Sequence, residues 1–174
     1  MKIGGFNLLK VLVICLVTLG ILLGAQYVYI HFIYENPLVE KLNNINGVKN
    51  STFVKEENKE RIIIEMDNVD NLMETYKDIS RVTEQLRQPP EIVLEDRPNA
   101  KLNKTWYEGQ FAVYEGVKTG HFVVMRERLE EAANSQKLTM KVFIGDSQVY
   151  IQLTDADNYI YRVIDFTLGG EPVA

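Results

Sequence analysis

The chain has 174 residues, with 19 basic and 24 acidic side chains and a net charge of −5. Lys2 and Lys10 are the only charged residues before Glu35, so the remainder carries 17 basic and 24 acidic residues, a net charge of −7. This balance excludes nucleic acid and anionic lipid as favoured partners of the remainder. The single cysteine, Cys15, allows no disulfide within the chain.

The first predicted element is a transmembrane helix over residues 8–34, preceded by a short cytoplasmic tail of residues 1–7. The stretch from Val11 to Ala25 contains no charge, and a helix needs about 20 largely apolar residues to cross the bilayer. Aromatic residues follow the aliphatic part, as expected at an outer membrane interface: Tyr27, Tyr29, Phe32 and Tyr34. The lipid bilayer is therefore a predicted partner of residues 8–34.

The flanking charges predict the orientation of this helix. Basic residues precede it and Glu35 and Glu40 follow it, which places the N-terminus in the cytoplasm and the rest outside the plasma membrane. A cleaved signal peptide is the alternative. Its best cleavage site follows Ala25, but Leu23 occupies a position that favours a small residue, so a retained single-pass signal-anchor is the preferred interpretation.

Residues 35–97 have the pattern of an α-β-β-α-β module. Apolar residues recur at helical spacing in two segments, and β-branched residues are concentrated in the segments between and after them. The predicted elements are a helix ending near Gly47, strands over 48–55 and 61–66, a helix capped by Asp70 or Asn71 and ended by Gln88 and Pro89, and a strand over 91–95.

This element order resembles the ring-building or BON-like modules of single-pass bacterial envelope proteins in secretion and sporulation assemblies. The resemblance covers roughly residues 37–96, rests on element order, and implies a packing module. The stretch from Ile45 to Val48, followed by a β-β-α run, is also similar to ferredoxin-like metal-transport domains. Their CxxC ligand pair is absent here, so copper or zinc transport is not implied.

Residues 98–174 are predicted to form two helices and a β-meander, as a separate lobe or as one domain with the preceding module. Pro98 and Asn99 signal a helix start, and the two helices are expected to join at Gly120. Strands follow over 138–144, 148–153 and 159–166. Gly109 and Gly116 indicate either a close approach of a neighbouring backbone or a less regular segment. The predicted fold class is α+β.

No catalytic residue, metal site or cofactor is predicted. Asp155, Asp157 and Asn158 lack the glycine and glutamate of a calcium loop, and His121 has no recognisable partner for general-base chemistry. The triplet from Lys118 to Gly120 occurs in penicillin-binding enzymes, but no serine here has the lysine three residues on that those enzymes need. The expected protein is therefore not an enzyme.

Four aromatic residues are the candidates for contact with a partner: Trp106, Tyr107, Phe111 and Tyr114. Such a series belongs to the core more often than to an interface, and core packing is the favoured interpretation. Two functions remain. One is a scaffold or assembly component that acts through protein contacts or self-association. The other is an extracytoplasmic ligand sensor, or a small cell-wall enzyme, with a pocket between its lobes.

Overall fold

The computed structural model describes residues 8–28, 36–56 and 59–166. Its contacts divide the chain into two compact units, Met1–Lys41 and Leu42–Ala174. The described residues have the predicted α+β fold class, with helices and two three-stranded sheets. The element order of residues 35–97 is also the predicted α-β-β-α-β.

The first unit contains helix α1, Leu8–Val28, which is apolar on all sides. Residues 10–27 are all exposed, and the segment Lys10–Tyr27 is long and apolar enough to cross a membrane by length and composition. Tyr27 lies near the end of the helix, whereas Tyr29, Phe32 and Tyr34 lie outside the described residues. Helix α2, Asn36–Asn43, begins in this unit and ends in the second.

The first sheet of the second unit has the order β1-β2-β3, formed by Val48–Glu56, Lys59–Met66 and Glu91–Glu95. Strands β1 and β2 are antiparallel, and β2 and β3 are parallel. A parallel pair needs a crossover connection, which helix α3, Leu72–Thr83, provides. One face of β2 is buried through Ile62, Ile64 and Met66.

Helix α3 begins at one of its two predicted caps but ends earlier than predicted. Asn71, rather than Asp70, is the N-cap, and its side chain accepts hydrogen bonds from the backbone N–H groups of Met73 and Glu74. The helix was predicted to continue to Gln88 but ends at Thr83. The Thr83 hydroxyl donates to backbone carbonyls of the preceding turn, an interaction that competes with helix continuation.

Helices α4, Ala100–Thr119, and α5, Phe122–Ser135, form an antiparallel hairpin. Gly120 ends α4 with φ of 76°, a conformation that glycine adopts without steric cost. Gly109 and Gly116 face α5, where a Cβ atom would lie 2.6 Å from the Leu129 and Met125 side chains respectively. The two glycines therefore leave room for side chains of α5, whereas the prediction named a neighbouring backbone, and they lie in a regular helix.

The second sheet is the predicted antiparallel meander, formed by β4, Thr139–Ile144, β5, Gln148–Asp155, and β6, Asn158–Asp165. Val149, Ile151 and Leu153 join a core cluster with residues of α4 and α5. The alternate residues of β5, Tyr150 and Gln152, are also buried, because α3 packs against the opposite face. This sheet is therefore covered on both sides.

Substitution of Gly116 tests the close packing of the helix hairpin. The Cβ atom of Gly116→Ala would crowd Met125, so we expect the free energy of unfolding to fall by about 1 to 3 kcal/mol. Urea unfolding of the full chain in detergent measures this change. Gly24→Ala, with no heavy atom within 4 Å of the added Cβ, is the matched control. Equal stability of the two variants would contradict the packing.

Candidate functional site

Helix α4 has two apolar faces. Its inner face is buried through Leu102, Ala112 and Val113. On the opposite side, Tyr107, Phe111 and Tyr114 are 66%, 66% and 56% exposed. At 100° per residue they lie within about 60° of the helix circumference. We call these three residues the α4 stripe.

The prediction of core packing is wrong for the α4 stripe. Tyr107 and Phe111 contact each other edge to face, with ring centroids 6.2 Å apart, but both rings remain largely exposed. Trp106 is different, because it is partly buried against the core cluster. The Arg162 guanidinium lies 5.2 Å from the centroid of its ring, a cation–π arrangement. Trp106 therefore helps to pack α4 against the core, and the other three candidate contact residues, the α4 stripe, are exposed.

A second feature connects the two sheets through the loop of residues 66–70. Side chains of the second sheet donate hydrogen bonds to four backbone carbonyls of this loop. Tyr159 binds the Met66 carbonyl at 2.5 Å, Tyr161 binds that of Asp67 at 3.1 Å, Gln152 binds that of Val69, and Lys141 binds that of Asp70 at 2.9 Å. The Val69 N–H also donates to the Tyr161 hydroxyl at 3.1 Å. We call residues 66–70 the bound loop.

The tyrosines that hold the bound loop stay neutral over a wide pH range. The Tyr159 and Tyr161 rings stack with centroids 4.7 Å apart. Burial raises the pKa of the Tyr161 hydroxyl to about 12 and raises the pKa of Tyr159 as well. Since a neutral hydroxyl is the hydrogen-bond donor here, burial keeps these two donors available.

Beside the bound loop, the structure forms a groove of about 490 Å³, which we call the junction groove. Its lining comes from both sheets and from the segment before α4: Lys49, Glu65, Met66, Asp67, Asn68, Glu95, Asp96, Arg97, Asp157 and Tyr159. Backbone hydrogen bonds between Arg97 and Tyr159, at 2.9 and 3.1 Å, join the sheets at one wall. The groove is thus a concave polar surface within the second unit.

The charged groups of the junction groove are only partly paired. Lys49 forms an ion pair with Glu65, which raises the pKa of the lysine. Asp96 binds Arg162 and also accepts the Tyr161 N–H at 2.8 Å. Among the described residues, no ion pair is formed by Asp67, Glu95 or Asp157. The groove therefore presents a mainly acidic surface that also contains Lys49 and Arg97.

The residues that the sequence suggested for calcium binding or general-base chemistry have other positions in the structure. Asp155 accepts a hydrogen bond from Asn99 at 2.8 Å and lies 3.6 Å from the Lys101 ammonium, so it holds the start of α4. His121 is the exposed residue before α5. Within the described parts of the chain, no group of three or more His, Cys, Asp or Glu residues could hold a metal ion.

Comparison of the chain with protein-family models, with curated proteins and with solved structures finds no match.

Removal of one hydroxyl tests the contact with the bound loop. Tyr161→Phe leaves the Val69 N–H and the Asp67 carbonyl without this partner, so we expect the free energy of unfolding to fall by about 1 to 3 kcal/mol at neutral pH. Tyr114→Phe, at an exposed position, is the control and should leave stability unchanged.

The same variant should change the response to alkali. Tyrosine has a pKa of about 10 in the unfolded chain, below the value of about 12 in the folded protein. The neutral hydroxyl therefore contributes fully to stability below pH about 10, and that contribution is lost as the pH rises towards 12. The free energy of unfolding should fall more steeply with rising pH for the wild type than for Tyr161→Phe. Parallel curves would contradict this assignment.

Proposed function

We propose that this chain is a single-pass, membrane-anchored extracytoplasmic protein that acts as a non-enzymatic scaffold or assembly component. Its second unit binds another protein through the α4 stripe. The observation that carries this proposal is the exposure of Tyr107, Phe111 and Tyr114 on the outward side of a helix whose inward side already supplies the core.

The residue types of the α4 stripe support a role in protein contact. Tyrosine and other aromatic residues are enriched at interfaces, because they bury a large area with few rotatable bonds. The stripe also lies on a rigid support. Gly109 and Gly116 pack α4 against α5, and Asn99 with Asp155 fixes its first turn. A preorganised surface loses less conformational entropy on binding than a mobile one.

Helix α1 supports the proposed anchor. It is uncharged after Lys10, apolar on all sides and exposed over residues 10–27. A helix that is hydrophobic all round is expected in a protein core or in a membrane, and a membrane leaves the exposed apolar side chains of α1 in contact with lipid. With the charge bias around it, the proposed location is the plasma membrane, with residues 1–7 in the cytoplasm and the second unit outside.

Serine substitutions at the α4 stripe test the proposed contact. We expect the yield of crosslinked partner to fall at least about tenfold in the triple variant Tyr107→Ser, Phe111→Ser and Tyr114→Ser, because aromatic anchors dominate the binding energy of an interface. Crosslinking in intact cells, followed by mass spectrometry of the attached protein, measures this loss.

The control for the triple variant is Ile144→Ser, which removes an exposed apolar residue of β4 outside the stripe. It should retain the partner. Since all four positions are exposed, protein levels should remain similar. A triple variant that keeps its partner at the wild-type level would refute the role of the stripe.

Membrane extraction tests the proposed anchor. The wild-type chain should remain in the membrane pellet after an alkaline carbonate wash. Leu19→Arg with Leu22→Arg should release it, because each arginine costs about 2.5 to 3.5 kcal/mol at the centre of a membrane helix. Leu19→Ile with Leu22→Ile is the control and should stay in the pellet. Recovery of a mature protein that begins after Ala25 would instead support the signal peptide.

The junction groove favours a second candidate function, the ligand sensor. A concave surface of about 490 Å³ with converging polar groups falls within the usual size of small-molecule sites. Carboxylates outnumber basic groups in its lining, which favours a cationic ligand. Under this alternative, the crosslinking pattern would not depend on the α4 stripe, so the serine variants separate the two functions.

A further inference from the structure

We infer that the turn between α2 and β1 is a site of spontaneous deamidation, in which the backbone nitrogen of Gly47 displaces ammonia from the side-chain amide of Asn46. The site is independent of the α4 stripe and of the proposed function. The sequence of the turn, the free N–H group of its glycine and the contacts of that glycine with the bound loop carry the inference.

Residues 45–48 form a turn that leaves both reacting groups accessible. The Val48 N–H closes the turn by donating to the Ile45 carbonyl at 3.0 Å. Gly47 is the third residue and has φ of 91°, as a type II turn requires. Among the described residues, the Gly47 N–H donates to no backbone carbonyl. The Asn46 side chain is exposed, so the nucleophile and the amide belong to adjacent residues and both face water.

Glycine after Asn46 distinguishes this asparagine from the others. Asn46 is the only asparagine in the chain that a glycine follows, and glycine has no side chain to crowd a nitrogen that closes a ring on its neighbour. Asn44 gives the contrast, since it is also exposed but precedes the β-branched Ile45. The Ile45 N–H also donates to the Leu42 carbonyl at 3.0 Å. The nitrogen after Asn44 is therefore both crowded and hydrogen-bonded.

The reaction needs only water and its hydroxide ion. Hydroxide removes the proton of the Gly47 N–H, the nitrogen forms a bond to Cγ of Asn46, and the bond from Cγ to Nδ2 breaks. Ammonia leaves with a proton from water, and a succinimide ring remains. Both groups lie in one short segment, which favours this intramolecular attack. Water then opens the ring to give aspartate at position 46, or isoaspartate, whose main chain runs through Cγ and is one carbon longer.

The longer main chain of the isoaspartate product disturbs the contact of Gly47 with the bound loop. The Gly47 carbonyl accepts the Asp67 N–H at 2.9 Å, and a Cβ atom on Gly47 would lie 2.3 Å from Cγ1 of Val69. A contact this close leaves no room for an additional main-chain carbon without a shift. The aspartate product keeps the normal main chain at an exposed position and leaves the contact intact. Deamidation thus releases one end of the bound loop.

Ageing of the purified full-length chain in detergent tests the site. After incubation in mildly alkaline buffer, trypsin cleavage after Lys41 and Lys49 places Asn44 and Asn46 on one peptide. Fragmentation mass spectrometry should show several-fold more conversion at Asn46 than at Asn44. Asn46→Gln is the matched control. It keeps an exposed amide but must close a larger ring, so it should convert several-fold more slowly.

Hydrogen exchange of the Asp67 amide tests the release of the bound loop. The aged chain, separated from the unmodified chain by its added negative charge, should contain a population in which this amide exchanges several-fold faster than in Asn46→Asp. That variant has the added charge without the longer main chain. The size of the fast population should match the isoaspartate fraction found by mass spectrometry.

Three results would overturn the inference. Equal conversion at Asn46 and Asn44 would remove the site. Conversion at Asn46 that occurs only in urea would show that the folded turn holds the amide away from the Gly47 nitrogen. Exchange of the Asp67 amide at the same rate in the aged chain and in Asn46→Asp would refute the release of the bound loop.

Discussion

The contact between the second sheet and the bound loop is the constraint on which the second unit depends. The buried carbonyl groups of Met66 and Val69 must find donors, and they receive them from Tyr159 and Gln152. Tyr161 and Lys141 bind the carbonyls of Asp67 and Asp70, two exposed residues of the same loop. These donors lie more than 70 residues further along the chain. Without them, the connection between β2 and α3 would lack its partners, and the two sheets would lose several of the bonds that hold them beside each other.

A short series of side chains connects the contact between the second sheet and the bound loop to the α4 stripe. Asp96 accepts the Tyr161 N–H and binds Arg162, whose guanidinium lies over the Trp106 ring. Trp106 precedes Tyr107 directly, so a fixed Trp106 sets the rotation of α4 about its own axis. With Trp106 directed inward, the next residue of a helix is turned by 100° towards solvent. The exposure of the stripe is thus a consequence of how α4 is held.

The sequence predicted the elements better than the surfaces. Strands β3 to β6 and the break at Gly120 follow from local periodicity and a single glycine. The sequence did not show which of the two apolar faces of α4 is buried. Apolar residues cover most of the circumference of this helix, and only the position of α5 identifies the inner face. The burial of Tyr150 and Gln152 was not predicted, because the local sequence of β5 does not show that α3 covers this face of the strand. The junction groove draws on distant segments, so no local pattern indicated it.

The aromatic residues of the α4 stripe are exposed and lie outside the core cluster. Leu102 and Val113 supply the inner face of α4, and Gly109 and Gly116 provide its close contact with α5. An exposed apolar cluster promotes unspecific association unless a partner covers it. The lysines and glutamates along its edges are paired within the chain or lie at its ends, which leaves the centre free of unpaired charge. A surface with an apolar centre and a polar rim is the arrangement found in protein interfaces, and it distinguishes the stripe from the acidic junction groove.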